Sequence, residues 1–160
     1  MRRAMFPGSF DPVTLGHINL VCRMAAIFDE VVVAVSQNAA KKHHFTLEER
    51  CALWEQALNE HGRPENVRIL PCTGLVASFA KEQGATVLVK GIRNEADFAY
   101  EQQIARVNFG ICGIETLFLP AEPSLAHISS SVAMHLHEMG APVEGYLPAA
   151  VIAALAKARK

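Results

Sequence analysis

Short runs of apolar and β-branched residues alternate along this chain with longer segments of helical period, a rhythm that leaves few folds open. Ala4–Phe6, Val31–Ser36, Val67–Leu70, Thr86–Val89 and Thr116–Leu119 read as strands. Between the first two, Leu15, Ile18, Val21, Cys22 and Ala25 recur at helical steps and predict one buried face of a helix ending near Phe28. Thr46 and Glu49 form a capping box that opens a second helix, with Leu47, Cys51, Trp54 and Leu58 as its apolar stripe. A third helix is expected from about Leu75 to Gln83, where Gly84 stops it. A fourth follows Arg93, with Phe98, Ile104 and Val107 among its apolar positions. Ser129 can cap a fifth that runs through Met139 to Gly140, and Pro148 suits the first turn of a final Ala-rich helix. Strand–helix alternation of this kind predicts a doubly wound α/β fold with a five-stranded parallel sheet in the order 3-2-1-4-5. The length of 160 residues, 51% of them hydrophobic, suits one domain spanning 1–160.

In such folds ligands gather at the carboxyl ends of strands beside the topological switch point, here between the first and fourth strands. The first strand runs into Phe6-Pro7-Gly8-Ser9-Phe10-Asp11-Pro12-Val13-Thr14-Leu15-Gly16-His17, a Gly/Pro turn that feeds a helix opening on Gly-His. The fourth ends in Lys90-Gly91-Ile92-Arg93. Two phosphate-friendly turns would therefore face one crevice. Gly8 and Gly91 allow close approach of backbone, Ser9 supplies a neutral donor, Lys90 and Arg93 supply charge, and His17 lies in a helix first turn that favours an anion.

The formal net charge of -1 gives no bulk electrostatic reason to bind nucleic acid or an anionic membrane and points to a small-molecule partner. Cys22, Cys51, Cys72 and Cys112 lack a C-x-x-C pair and read as small buried hydrophobes in a reducing compartment. No secretory apolar region follows the N-terminal arginines, and no apolar run approaches ~18 residues, so a soluble cytoplasmic protein is expected. Other polar groups carry simpler readings. Lys41-Lys42 resembles an ordinary solvated pair when taken alone, and His43 and His44 are expected to face solvent. His135 and His137, two apart on a helix, face different directions and do not suit a metal pair. Asp97 and Glu101 share a helix face and suggest salt bridging, while Trp54 belongs to the core.

The segment Ser9-Phe10-Asp11-Pro12 before Gly16-His17 resembles the G-[ST]-F-D-P-x-x-x-G-H signature of nucleotidyltransferases related to class I aminoacyl-tRNA synthetases. Lys41-Lys42 before Phe45-Thr46-Leu47-Glu48-Glu49-Arg50, Lys90-Gly91-Ile92-Arg93 before Asp97-Phe98-Ala99-Tyr100-Glu101, and Ile128-Ser129-Ser130-Ser131 follow in order. From Met5 to about Leu147 these blocks make the chain similar to the bacterial phosphopantetheine adenylyltransferases. The resemblance implies transfer of the adenylyl group of ATP to 4'-phosphopantetheine with Mg²⁺ as cofactor, giving dephospho-coenzyme A and pyrophosphate, and it implies a homohexamer with coenzyme A as a feedback inhibitor. It also implies roles. His17, Lys41 and Arg93 would be catalytic; Ser9, Lys41, Val76 and Lys90 would hold the pantetheine substrate. Ser9, Phe10, His17, Gly91, Ile92, Arg93, Glu101, Leu125, Ala126, His127, Ile128, Ser129, Ser130 and Ser131 would surround ATP. Lys90 stands where arginine is common, Phe6 where tyrosine is frequent, and Leu125 and His127 where aromatics are frequent; none removes a group that the reaction needs. A sister enzyme acting on nicotinamide mononucleotide would share Ser9 to His17, and a nucleotide-binding module without turnover would use the same fold.

Overall fold

In the computed structural model, which describes residues 1–38, 40 and 42–158, five parallel strands form one sheet in the order β3-β2-β1-β4-β5. The strands are β1 (Arg3–Gly8), β2 (Glu30–Gln37), β3 (Val67–Thr73), β4 (Val87–Ile92) and β5 (Glu115–Pro120). The helices are α1 (Leu15–Ala25), α2 (Leu47–Glu60), α3 (Val76–Glu82), α4 (Glu95–Cys112), α5 (Ser130–Glu138) and α6 (Ala149–Ala158). A single 3-10 turn at Pro123–Leu125 lies between β5 and α5.

Strand periodicity divides the core. Val31, Val33 and Val35 of β2 enter the larger hydrophobic cluster with Trp54, Leu58, Met24 and Val151, whereas Val32 and Ala34 enter a smaller cluster with Met5, Cys72, Ala80 and Leu88. All five of these β2 residues are fully buried because helices cover both faces of the parallel sheet. Each such valine contributes roughly 1.5–3 kcal/mol of burial. Of the four cysteines only Cys72 is fully buried; Cys22, Cys51 and Cys112 are half-buried and all four are free thiols.

The helix starts obey local chemistry. Thr46 caps α2 with its hydroxyl on the Glu49 N–H while Glu49 returns a carboxylate to the Thr46 N–H. Asn94 caps α4, which ends at Gly113 in the left-handed conformation (φ 71°). Helix α1 ends at Ala25, earlier than the apolar spacing predicts, because the chain turns there: the N–H groups of Ile27 and Phe28 both bond the Met24 carbonyl. Helix α4 contains no buried residue, and Phe98, Ile104 and Val107 are 39%, 38% and 57% exposed.

Strand register locates the crevice. Strand β1 runs beside β2 from Arg3 to Gly8, but it pairs with β4 only at Ala4↔Val87 and Met5↔Leu88. Past Met5 the strands part at Pro7. Its carbonyl faces β4, where it accepts from Lys90 Nζ at 3.1 Å, and the proline nitrogen on that side has no hydrogen to extend the ladder. A cleft opens at the switch point, as the strand order requires.

Candidate active site

The cleft is a cavity of about 480 Å³ whose wall gathers the end of β1 and its following turn, the first turn of α1, the end of β2, the end of β4, the inner face of α4 and the start of α5. The β1 turn is shaped by Phe10, which has φ 47° and lies 4% exposed. Its ring folds back between Phe6, His17 and Trp54, with centroids 5.2, 5.0 and 5.0 Å away. A Cβ on Gly8 would stand 2.7 Å from Phe10 Cζ, so this packing requires glycine at position 8. On the opposite wall a Cβ at Gly91 would meet Leu20 Cδ1 at 2.4 Å.

His17 is the third residue of α1 and completes a capping box with Thr14. The Thr14 N–H donates to His17 Nδ1 at 3.1 Å, and the His17 N–H donates to Thr14 Oγ1 at 3.3 Å. With Nδ1 occupied as an acceptor, the neutral ring carries its proton on Nε2. Burial, then the nearby Arg93 and Lys90 charges, push the imidazole pKa down from 6.5 to about 3. At neutral pH His17 is therefore an uncharged hydrogen-bond donor. Its own backbone N–H and that of Leu15, which bonds Tyr146 O at 3.0 Å, are spent inside the fold.

The cations arrive paired. Arg93 lays Nε and Nη2 on the two Asp97 carboxylate oxygens at 2.8 and 3.0 Å, and its Nη1 reaches Ile128 O at 3.4 Å. The guanidinium holds the Asp97 carboxyl below the usual carboxylate range. Lys90 Nζ lies 3.2 Å from Glu101 Oε1 as well as on Pro7 O. Asp97 and Glu101 form the expected salt bridges, but in the cavity wall rather than on an outer surface. The three serines divide their work: Ser129 Oγ caps α5 through the Val132 N–H, Ser130 Oγ donates to Pro12 O at 2.8 Å, and Ser131 is exposed at the rim.

Of the residues singled out from sequence, Ser9, Phe10, His17, Lys90, Gly91, Arg93, Glu101, Leu125, Ile128, Ser129, Ser130 and Ser131 line this cavity. Ile92, Ala126, His127 and Val76 do not. Val76 packs on the smaller core cluster, and the His127 ring sits against Tyr146 at 5.4 Å. Lys41 lies outside the described residues. His43 corrects the expectation of a solvent-facing ring: its side chain is 9% exposed, with Nδ1 3.3 Å from Asp11 Oδ2 and Nε2 3.2 Å from Asn38 O. The cause is Asp11, whose carboxylate also accepts the His44 and Phe45 N–H groups and pulls that loop inward. His44 itself is exposed, and Trp54 is fully buried in the core as expected. Tyr100, part of a sequence block but given no role there, also lines the cavity, as do Ser36, Asn38 and Leu20, which carried no motif; only the strand order, which sets the β2 end beside β1, could have pointed to Ser36 and Asn38.

The cytidylyltransferase-like family matches residues 5–134. A phosphopantetheine adenylyltransferase from Kocuria rhizophila is 45% identical over 97% of this chain and 98% of its own length. The chain belongs to the phosphopantetheine adenylyltransferase family. Other members, from Clavibacter michiganensis subsp. michiganensis and Streptomyces coelicolor, are each 43% identical, over 99% and 97% of this chain and 98% and 96% of their own lengths. Solved structures share the fold at low identity. A nicotinic acid mononucleotide adenylyltransferase from Plasmodium falciparum, complexed with APC, superposes with a TM-score of 0.69 at 12% identity, over 99% of this chain and 96% of that one. A bifunctional NMN adenylyltransferase/ADP ribose pyrophosphatase from Francisella tularensis gives 0.63 at 16% identity, over 91% of this chain and 44% of that one. The fold is thus shared with solved mononucleotide adenylyltransferases. No helix among the described residues is long and apolar enough to cross a membrane.

Proposed function

We propose that the cleft transfers the adenylyl group of ATP to 4'-phosphopantetheine, giving dephospho-coenzyme A and pyrophosphate in the penultimate step of coenzyme A synthesis. The observation that carries this reading is one cavity in which the His17 imidazole, Lys90 and Arg93 converge at a helix start and two strand ends. A phosphate monoester is already ionised at neutral pH. Its oxygen attacks the α-phosphorus of ATP, the new P–O bond forms, and the bond to the pyrophosphate oxygen breaks, so no base or covalent nucleophile is required. The work left to the protein is positioning and charge stabilisation. His17 Nε2–H donates to an α-phosphate oxygen as charge builds there, and Arg93 faces the nucleotide phosphates. Lys90, with Lys41, holds the acceptor phosphate, with Ser9 beside it, while Val76 lines the path of the pantetheine arm.

Ser9, Phe10, the Gly91–Arg93 turn, Glu101 and the 125–131 segment surround the nucleotide in this reading. Mg²⁺ supplies counter-charge for the triphosphate when bound. Both cavity carboxylates, Asp97 and Glu101, are committed to cations, a donor set that suits a metal brought in on the ATP phosphates rather than held by a protein cage. The exposed apolar side chains of α4 and Leu117 of β5 suit burial between copies of the chain, and the homohexamer is what the family resemblance implies. Coenzyme A, which contains both product halves, would inhibit by filling the same cleft. The four free thiols suit the cytoplasm.

A coupled pyrophosphate assay with MgATP tests the reading, comparing 4'-phosphopantetheine, nicotinamide mononucleotide and no acceptor. Release with phosphopantetheine alone is expected. Release only with the mononucleotide would make the chain a sister enzyme, and MgATP binding without release in any arm would make it a nucleotide-binding module.

A further inference from the structure

Arg50, in the first turn of α2, is a charged side chain with no exposed surface. It does not line the cavity. Its guanidinium nevertheless meets two segments that do. Nη1 donates to Ser9 O at 2.6 Å and to Ser36 O at 2.8 Å, joining the turn after β1 to the end of β2. Nη2 donates to Gln37 Oε1 at 2.5 Å, and Nε divides between Phe45 O at 3.2 Å and Thr46 O at 3.3 Å. None of these five acceptors is a carboxylate. The Asp11 carboxylate lies near enough to offset part of the charge, but a buried cation hydrogen-bonded only to neutral oxygens is still costly to keep when the sole gain is stability. Its geometry has a direct consequence for the cleft. The peptide joining Ser9 to Phe10 is planar, and in a trans peptide the carbonyl and the following N–H point in opposite directions. With the Ser9 carbonyl drawn onto Arg50, the Phe10 N–H is turned away from the guanidinium, and both Ser9 and Phe10 line the cavity. No protein acceptor for that N–H is found among the described residues.

We infer that Arg50 is a positioning residue for adenylyl transfer: by fixing the Ser9–Phe10 peptide and its distance from the β2 end, it presents the Phe10 N–H to a nucleotide phosphate. The inference rests on the function proposed above. It assigns Arg50 no contact with substrate, and it predicts that lysine does not replace it. An ammonium has neither the planar fork nor the five N–H groups needed to bridge three segments at once.

The test compares Arg50→Lys and Arg50→Ala with the parent chain by thermal melting, direct MgATP titration and pyrophosphate release. A folded Arg50→Lys is expected to bind MgATP about tenfold more weakly and to lose about 10²-fold in kcat, the scale of a misplaced catalytic geometry. Millimolar guanidinium should restore part of the Arg50→Ala turnover, a response that a general packing defect does not give. A folded Arg50→Lys within threefold of the parent in both quantities would overturn the inference. So would loss of folding in both variants, which would make Arg50 a fold anchor only. If the parent itself releases no pyrophosphate, the proposed function fails, and the MgATP titration alone decides whether Arg50 sets the nucleotide site.

Discussion

The state of His17 gives the sharpest quantitative prediction. Its folded pKa of about 3 lies below the value of 6.5 for an exposed ring, so between these values the unfolded chain binds a proton that the folded chain refuses. The stability that this contributes is complete above about pH 6.5 and is lost as pH falls toward 3. The slope is ~1.4 kcal/mol per pH unit, so moving from about pH 7.5 to about pH 5 removes about 2 kcal/mol through this one ring. His17→Gln abolishes that titration while also disturbing the α1 cap. The cap change is a constant offset, and the other six histidines titrate in both proteins, so the comparison is between pH slopes. Urea melts of parent and variant at the two pH values should show the parent losing about 2 kcal/mol more than His17→Gln, equivalent to roughly 4–8 °C in Tm for a chain of this size. Nitrogen NMR of the parent at neutral pH should show Nδ1 bare and Nε2 protonated, as the Thr14 N–H bond requires. Equal pH slopes in the two proteins, or an imidazolium at neutral pH, would refute the argument that burial and the two cations hold the ring neutral.

Other consequences are open to single measurements. His17→Ala should lose ~10²- to 10³-fold in kcat with a much smaller change in MgATP affinity, since the donor acts on charge that develops during transfer; a rate within threefold of the parent would remove His17 from the reaction. Asp97→Ala frees the Arg93 fork from both of its carboxylate bonds and should lower turnover about tenfold, while the partly exposed pair itself is worth at most ~1 kcal/mol of stability. Unchanged turnover would mean that Arg93 needs no orientation by Asp97. Gly8→Ala forces its methyl against a Phe10 ring already hemmed in by three aromatic neighbours, and urea melts should show a loss of roughly 1–3 kcal/mol. Gly91→Ala meets only the end of a leucine side chain that can turn, so a cost at Gly91 equal to or above that at Gly8 would contradict this account.

What could be read in the sequence was local chemistry. Capping pairs such as Thr46 with Glu49, and Ser129 before α5, announce helix starts because the hydrogen bonds that make a cap close within a few residues. Strand ends were less legible. Strand β3 continues through Pro71 to Thr73, beyond the apolar run, and an edge strand can accept a proline there because one side of its ladder is unpaired. The burial of His43 depends on a carboxylate 32 residues earlier in the chain, and no local pattern foretells it. The same holds for Arg50. In sequence it is only the last residue of the Phe45–Arg50 block; only the meeting of β1, β2 and α2 surrounds it with carbonyl oxygens. Site residues carried by turns next to strands 1 and 4 were legible because topology follows from strand–helix alternation. Glu101 of α4 was legible through its motif block, but Ile104 farther along that helix and Ser36 and Asn38 at the end of β2 were not.

The charge layout of the cleft fits adenylyl transfer better than simple anion capture. A site that had only to hold a polyanion would gather unpaired cations, yet Arg93 and Lys90 are each met by a carboxylate, so the wall is close to neutral before any ligand enters. Such a wall discriminates by direction more than by net charge. Arg93 is held in a fixed plane by two carboxylate oxygens, Lys90 is fixed between Pro7 and Glu101, and His17 is locked into one tautomer by its own helix cap. Each device removes freedom from a donor before substrate arrives, which is the condition under which hydrogen bonds favour a transition state over a ground state. A neutral imidazole is the consistent choice in this setting. Its N–H strengthens its bond as the α-phosphate gains charge, without the tight ground-state ion pair that an imidazolium would form with ATP and would have to break for pyrophosphate to leave.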